Sequence, residues 1–377
     1  MTFLGISCII HVMEKNKLKV FALSGIEYLA SELNEELNKA MKTTDENYLV
    51  DYDGVWYPDG THKIMINESV RGADAYFITD PYNRSCTYEL AGKEQIISPI
   101  LHVAELEHAI LAAQNNQSRT NIFETSLYGA RQDDRYGRES LTLANHLQLL
   151  VGRYGASFVG TFRAHNPSAA RNAIPMASFE DFKATRLLLR EVNKSIKQNY
   201  PKMKAVNLTS IAPDFGALKT AKGVAAAIGT ERVGSFDKYR NHKKFDGVRN
   251  VVEQHRYIGH DRDLRNKIGI VDDDEISTGG SMLEVAEQAT KKGTIANYIM
   301  TTHGRFVKGL DIFQKAHEKG YFKELVVTNA THIDPAAVKE YEWLKVANVV
   351  PLLAKIVVAH HKDESLSRYM NGNDYVK

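Results

Sequence analysis

Gly269-Ile270-Val271-Asp272-Asp273-Asp274-Glu275-Ile276-Ser277-Thr278-Gly279-Gly280-Ser281 is the stretch whose reading decides the fold. An apolar run ends in consecutive carboxylates, passes through Ser-Thr-Gly-Gly-Ser and enters a helical pattern. That is a strand, loop and helix of an open α/β sheet, and such sheets bind ligands beyond the carboxyl ends of their strands. Two glycines let the backbone turn tightly, so several N–H groups can converge on an anion. The helix N-terminus adds its field, and Thr278 and Ser281 add hydroxyls. A terminal phosphate fits this loop. Asp273 and Asp274 would then stand close enough to accept hydrogen bonds from sugar hydroxyls or to hold a metal indirectly. Thr-Gly-Gly-Ser alone is more often a plain helix entry; the strand and the triple carboxylate favour the phosphate loop.

Working outward, short apolar runs alternate with longer mixed segments, the βα rhythm of a mostly parallel sheet. Upstream, strands are expected over 19–24, 63–70, 74–79, 121–127 and 156–162, with helices over 26–42, 102–115 and 141–153. Downstream, the segment 179–198 reads as one long amphipathic helix, followed by strand 204–211 and helix 217–228. Strands 267–272, 295–301 and 324–328 alternate with helices 281–292 and 310–319. Pro351 opens a final helix to His361, and a proline suits a first helical turn. His360-His361 reads as exposed helix surface. Between Ser235 and Arg265 periodicity fails, and a loop or long hairpin is expected.

Four further segments carry chemistry. Ala212-Pro213-Asp214-Phe215-Gly216-Ala217 follows a strand and precedes a helix, so Gly216 could admit a pyrophosphate and Asp214 could serve magnesium, although Pro-Asp is equally an ordinary cap. Tyr128-Gly129-Ala130-Arg131-Gln132-Asp133-Asp134-Arg135 offers guanidinium, amide and carboxylate groups suited to polyphosphate or a stacked base, or simply to solvent. Thr161-Phe162-Arg163-Ala164-His165-Asn166-Pro167 puts a histidine beyond a strand end, a usual structural position that also permits metal ligation. Asp237-Lys238-Tyr239-Arg240-Asn241-His242-Lys243-Lys244-Phe245 is basic; Lys238 and Arg240 could close over a triphosphate, and an exposed basic loop is the plainer alternative.

The chain has 377 residues, 43% hydrophobic and 25% charged, which suits an ordinary globular protein of two α/β domains. Lysine and arginine exceed aspartate and glutamate by 48 − 46 = +2. That balance argues against nucleic acid or an anionic membrane as partner. Cys8 and Cys86 cannot make a disulfide framework, and a reducing cytoplasm is expected. The apolar start at Met1–Ile10 is too short to span a bilayer and lacks a basic region before it, so it reads as an N-terminal extension.

These segments, in this order, resemble the ribose-phosphate pyrophosphokinase family, the phosphoribosyl pyrophosphate synthetases, over about 19–371. Asp-Asp-x-Ile-x-Thr-Gly-Gly-Ser belongs to the broader phosphoribosyltransferase fold. More specific are Tyr128–Asp133, Asn67-Glu68-Ser69-Val70-Arg71-Gly72-Ala73-Asp74, Asp237–Arg240, and the tail with Glu324–Asn329 and Val349–Ala354. The resemblance implies an α/β fold of two tandem phosphoribosyltransferase-like domains, each with a mostly parallel central sheet flanked by helices. Its divisions are an extension over 1–18, an ATP-side domain over 19–165, a ribose 5-phosphate-side domain over 166–350, and a helix and tail over 351–377.

It also implies that MgATP and D-ribose 5-phosphate give AMP and 5-phospho-α-D-ribose 1-diphosphate. Tyr57, Asp59, Arg131, Gln132 and Asp133 would bind ATP. Asp273, Asp274, Ser277, Thr278, Gly279, Gly280 and Ser281 would bind ribose 5-phosphate, His165 and Asp214 would serve Mg2+, and Lys238 and Arg240 would be catalytic. Tyr57-Pro58-Asp59-Gly60 would lie on a hairpin reaching a neighbouring subunit's ATP, in a homo-oligomer built from dimers, often hexameric. Several positions depart from the family pattern: Thr61 replaces a glutamate, Arg163 an aspartate, Tyr239 an arginine, Ala217 a glycine, Thr220 an arginine and Ser277 an aspartate. The alternatives are a phosphoribosyltransferase that consumes the diphosphate and a catalytically weak regulatory subunit of a synthetase.

Overall fold

The computed structural model describes residues 16–114, 116–135, 137–245 and 250–370, with the backbone alone from 238 to 255. The first half runs β1 (Leu18–Ala22), a 3-10 turn, α1 (Ala30–Met41), β2 (Tyr52–Trp56), β3 (His62–Ile66), β4 (Asp74–Thr79), β5 (Thr87–Leu90), β6 (Lys93–Ile96) and α2 (Pro99–Ala113). It continues through β7 (Arg119–Glu124), α3 (Thr142–Gln148), a π turn, β8 (Ala156–Phe162), α4 (Pro167–Ala173), β9 (Ser178–Phe182) and α5 (Thr185–Asn199). The second half is β10 (Leu208–Ala212), α6 (Leu218–Ile228), β11 (Val233–Phe245), β12 (Asn250–Ile258), β13 (Ile268–Ile276) and α7 (Gly280–Lys291). It ends with β14 (Ala296–Gly304), α8 (Asp311–Glu318), β15 (Glu324–Thr328), α9 (Pro335–Glu340), β16 (Leu344–Ala347) and α10 (Val350–His361).

The fold is α/β. One sheet is ordered β1-β4-β7-β8-β9, with every pairing parallel. The other is ordered β12-β11-β10-β13-β14-β15-β16, parallel except for β12, which folds back antiparallel on β11. Continuous apolar runs such as Ala75–Ile78 and Leu325–Val327 are fully buried, as parallel strands covered on both faces require. Among the described residues, no helix is long and apolar enough to cross a membrane.

The halves share a core. Val20, Tyr76, Ile78, Phe158 and Phe162 from the first sheet join Ile268, Ile270, Tyr298 and Met300 from the second, with side chains of α1, α5 and α10 packed among them. The helix α10 reads Val-Pro-Leu-Leu-Ala-Lys-Ile-Val-Val-Ala-His-His, and Leu352, Leu353, Ile356 and Val357 are fully buried. A helix apolar around most of its circumference belongs inside. It packs on α1, so the last helix completes the first half.

Three expectations are corrected. The segment 179–198 is not one helix: β9 takes Ser178–Phe182 as an edge strand on β8, and α5 starts at Thr185. Its alternation (Phe179, Asp181 and Phe182 buried) serves the sheet before the 3.6-residue period takes over. His361 is buried and bonds Asp74 at 2.7 Å, while His360 meets Tyr76 Oη at 2.6 Å and lies tilted against the Phe158 ring, so this pair is not exposed surface. The expected strand 63–70 stops at Ile66, and the antiparallel pair β5–β6 is an element the sequence pattern did not announce. The aperiodic region does form a long hairpin, β11–β12.

Asp74 is the polar anchor of this packing. It is fully buried and accepts hydrogen bonds from Arg119, Asn121 and His361. Burial opposes its charge, but His361 and Arg119 outweigh that and hold the carboxyl below its ordinary range. Asp74→Ala leaves Arg119 and His361 without their acceptor and should cost about 3–5 kcal/mol in denaturant unfolding. A depressed folded pKa contributes stability that is present above the unfolded value, near pH 4 for aspartate, and is lost as pH falls through the folded value. The difference between wild type and Asp74→Ala should therefore shrink below about pH 4.

Candidate active site

The strand β13 emerges beside β10 and β14 and carries four consecutive acidic residues, Asp272 to Glu275, to its carboxyl end. Opposite them stands the loop after β8. Arg163 donates from Nη1 to Asp272 Oδ1 at 2.7 Å and from Nη2 to Asp272 Oδ2 at 2.9 Å, with both residues buried. Burial opposes the arginine's charge, and the Asp272 carboxylate outweighs it, so the guanidinium pKa is raised. Two residues on, His165 Nδ1 lies 2.7 Å from Asp274 Oδ2, and this pair is partly exposed. The Asp274 hydrogen bond raises the histidine above its ordinary value. Burial works against the Asp274 charge, but bonding from His165 and Asp273 brings its pKa well below the carboxylate range.

The loop after β7 closes the third side. Arg131 Nη1 reaches Glu275 Oε1 at 3.3 Å, and Asn166 Nδ2 donates to Asp133 Oδ2 at 2.7 Å. This loop is shaped from below: Glu124, fully buried, accepts from Tyr128 N at 2.7 Å and meets His146 Nε2 at 2.6 Å. Tyr82 Oη accepts from Gly129 N at 3.0 Å. Arg305, beyond β14, pairs with Glu275 Oε2 at 2.9 Å, and its guanidinium carbon lies 3.4 Å from the centre of the Tyr82 ring. His303 sits beneath, its Nε2 donating to Phe162 O at 2.8 Å. Burial, with Arg305 nearby, pushes it down to about 4, which keeps the ring neutral.

Arg131, Asp133, His165, Asp273, Asp274 and the Ser277–Ser281 loop thus meet along one edge, where the strands of both sheets end. Gln132 lies exposed on the same loop as Arg131. Asp214 follows β10, the neighbour of β13, and accepts from Ala217 N at 3.0 Å as the turn enters α6. Tyr57 and Asp59 stand apart on the exposed turn between β2 and β3. Asp59 bonds Thr61 there, and Pro58 O accepts from Ala91 N of the second hairpin at 2.9 Å. Lys238 and Arg240 lie on β11, paired to His255 and Val252 of β12; their side chains fall outside the described residues. Among the described residues, no three His, Cys, Asp or Glu side chains form a metal cage.

Arg305 and Glu275 escaped the reading of the sequence. Glu275 is the unassigned position of the Asp-Asp-x-Ile motif, Arg305 belongs to no motif, and 30 positions separate them. The mutual signal, an arginine just past β14 and an acid just past the β13 core, appears only once the two strands are known to pair Glu275 with His303 and Ile276 with Gly304.

The loop Thr278–Ser281 is cut to tight tolerances at one glycine only. Gly279 has φ +85°, and a Cβ there would lie 2.2 Å from Cζ of Phe313, a fully buried ring. At Gly280 a Cβ meets nothing within 4 Å. Gly279→Ala should therefore lower stability by roughly 2–4 kcal/mol, combining left-handed strain with overpacking, whereas Gly280→Ala should melt with the wild type. Thermal unfolding of the two variants checks this contrast.

Residues 251–371 match the phosphoribosyl synthetase-associated domain family. The chain is 26% identical over 358 residues to ribose-phosphate pyrophosphokinase of Mycoplasmopsis pulmonis, covering 94% of this chain and 97% of that one. It is 24% identical over 360 residues to the Staphylococcus aureus protein of the same name, again over 94% and 97%. The crystal structure of phosphoribosylpyrophosphate synthetase from Mycobacterium smegmatis superposes with a TM-score of 0.72 at 20% identity, over 93% of this chain and all of that one. Along nearly its full length the chain is thus similar in sequence to ribose-phosphate pyrophosphokinases and shares its fold with a phosphoribosylpyrophosphate synthetase.

Proposed function

We propose that this protein transfers the β,γ-diphosphoryl group of MgATP to the 1-hydroxyl of D-ribose 5-phosphate, giving AMP and 5-phospho-α-D-ribose 1-diphosphate. The observation that carries the proposal is the meeting, at one edge, of the Arg131–Asp133 loop, the His165 loop and the Asp273–Ser281 segment. In this reading Thr278–Ser281 hold the 5-phosphate through backbone N–H groups and hydroxyls at the start of α7. Asp273 and Asp274 accept hydrogen bonds from the ribose hydroxyls. Arg131, Gln132 and Asp133 bind the nucleotide, with Lys238 and Arg240 offsetting the charge that develops on the transferred group.

Magnesium fits the donor set. It keeps several waters and takes one or two protein ligands plus phosphate oxygens, so no cage of three side chains is needed. His165 and Asp214 would hold it, and when bound it supplies charge neutralisation across the phosphates. The chain's own contribution is alignment: acceptor hydroxyl and phosphorus are brought into line by groups fixed on two sheets. Tyr57 and Asp59, exposed on a hairpin tip, would complete the nucleotide site of a neighbouring subunit in a homo-oligomer with a dimer unit.

Incubation with MgATP and ribose 5-phosphate should release AMP and the sugar diphosphate in equal amounts, followed by chromatography. No turnover across a range of divalent metals and nucleoside triphosphates would sink the proposal. Lys238→Ala should lower kcat by about 100- to 1,000-fold while ribose 5-phosphate binding stays nearly intact. Thr278→Ala combined with Ser281→Ala should instead raise KM for ribose 5-phosphate by roughly tenfold or more, through lost charge-assisted hydrogen bonds.

A further inference from the structure

We infer that Arg163 is a positioning residue: through its buried two-point bond to Asp272, it sets the spacing between the two lips of the site and so the geometry of His165 and Asp274. The inference rests on the site reading above. Arg163 and His165 are two residues apart on the loop after β8, and Asp272 and Asp274 are two residues apart on β13. The cross-pairs keep that step, Arg163 to Asp272 and His165 to Asp274. The inner pair is shielded from water and bonded at both nitrogens; the outer pair is half exposed and faces the place a ligand would take.

A guanidinium fork against a carboxylate fixes orientation as well as distance, which a single-point contact does not. The backbone is committed to it. Arg163 has φ +47°, a left-handed conformation uncommon outside glycine, and it is held there by Arg163 N donating to Phe182 O at 2.9 Å and Ala164 N donating to Asp181 Oδ1 at 2.8 Å. His303, donating across to Phe162 O, pins the residue before it to the second sheet. Arg163 is 7% exposed and its guanidinium is spent on Asp272, so it does not itself face a ligand. The outer pair is free to exchange His165 and Asp274 for ligand partners because the inner pair keeps the lips together when it opens.

The test replaces both partners, so that no lone charge is buried: Arg163→Met with Asp272→Leu, alongside Arg163→Lys. The double variant is expected to keep the wild-type melting temperature. Its affinity for ribose 5-phosphate, by calorimetry, should fall roughly 10- to 100-fold, with Arg163→Lys recovering part of the loss. Amide hydrogen exchange at 163–166 and 272–275 should quicken in the double variant with no ligand present. A double variant that binds ribose 5-phosphate like the wild type, or unchanged exchange at both lips, overturns the inference. Failure of the wild type to bind ribose 5-phosphate at all would instead remove the functional reading, while the exchange comparison would still judge the clamp.

Discussion

The two sheets are fixed to each other by one shared apolar core, and the rest of the molecule depends on that burial. A parallel sheet must be covered on both faces. Here the faces turned toward each other are covered by the same helices, α1, α5 and α10, so neither half finishes its core alone. Each fully buried leucine, isoleucine or valine of α10 contributes on the order of 1.5–3 kcal/mol relative to exposure. Polar links at the margin then set the alignment: Tyr28 Oη donates to Asn329 O at 2.9 Å, and His332 N donates to Asp80 at 3.0 Å. With the sheets held in this way, the carboxyl ends of β7, β8 and β13 face one another, and the charged loops have somewhere to meet.

That meeting is an electrostatic exchange between halves. The acidic run Asp272–Glu275 belongs to the second sheet. Most of the cations that answer it, Arg163, His165 and Arg131, belong to the first. A run of unpaired acids would repel any anion; paired with cations from the other half, it becomes a more nearly neutral, hydrogen-bonding floor. Arg163 is the buried member of this exchange, its guanidinium bonded at both nitrogens to Asp272 of the other sheet.

The fold was largely legible in the sequence, since period and punctuation report on local structure. The strand at 324–328 and the helix after Gly279 follow directly from apolar runs and glycine placement. The segment at Ser178–Phe182 did not, because a short strand feeding into an amphipathic helix presents one unbroken mixed pattern. Lys93–Ile96 is exposed at every position, and Thr87–Leu90, where Tyr88 and Leu90 alternate with exposed Thr87 and Glu89, is too short for its alternation to stand out. Of the site, the loops were legible and the pairings were not. Arg163 and Asp272 are 109 residues apart, and a contact at that separation leaves no trace in local pattern. His361 was misjudged for the same reason: a polar residue at a helix end looks exposed until the distant Asp74 that satisfies it is known.

The position of α10 also has a bearing on how the molecule comes into being. It packs on α1, and Glu32 and Asn348 touch across a separation of 316 residues. Contacts of such range form late, because the loop they close is long and nothing repays its closure until both ends are in place. On the ribosome the first sheet is made well before the helix that seals it, so it waits with its α1 face uncovered while the second half is synthesised. The growing chain therefore carries an exposed apolar surface while its second half is made, and the last helix acts as the closing stone of a structure whose first strands were laid at the start.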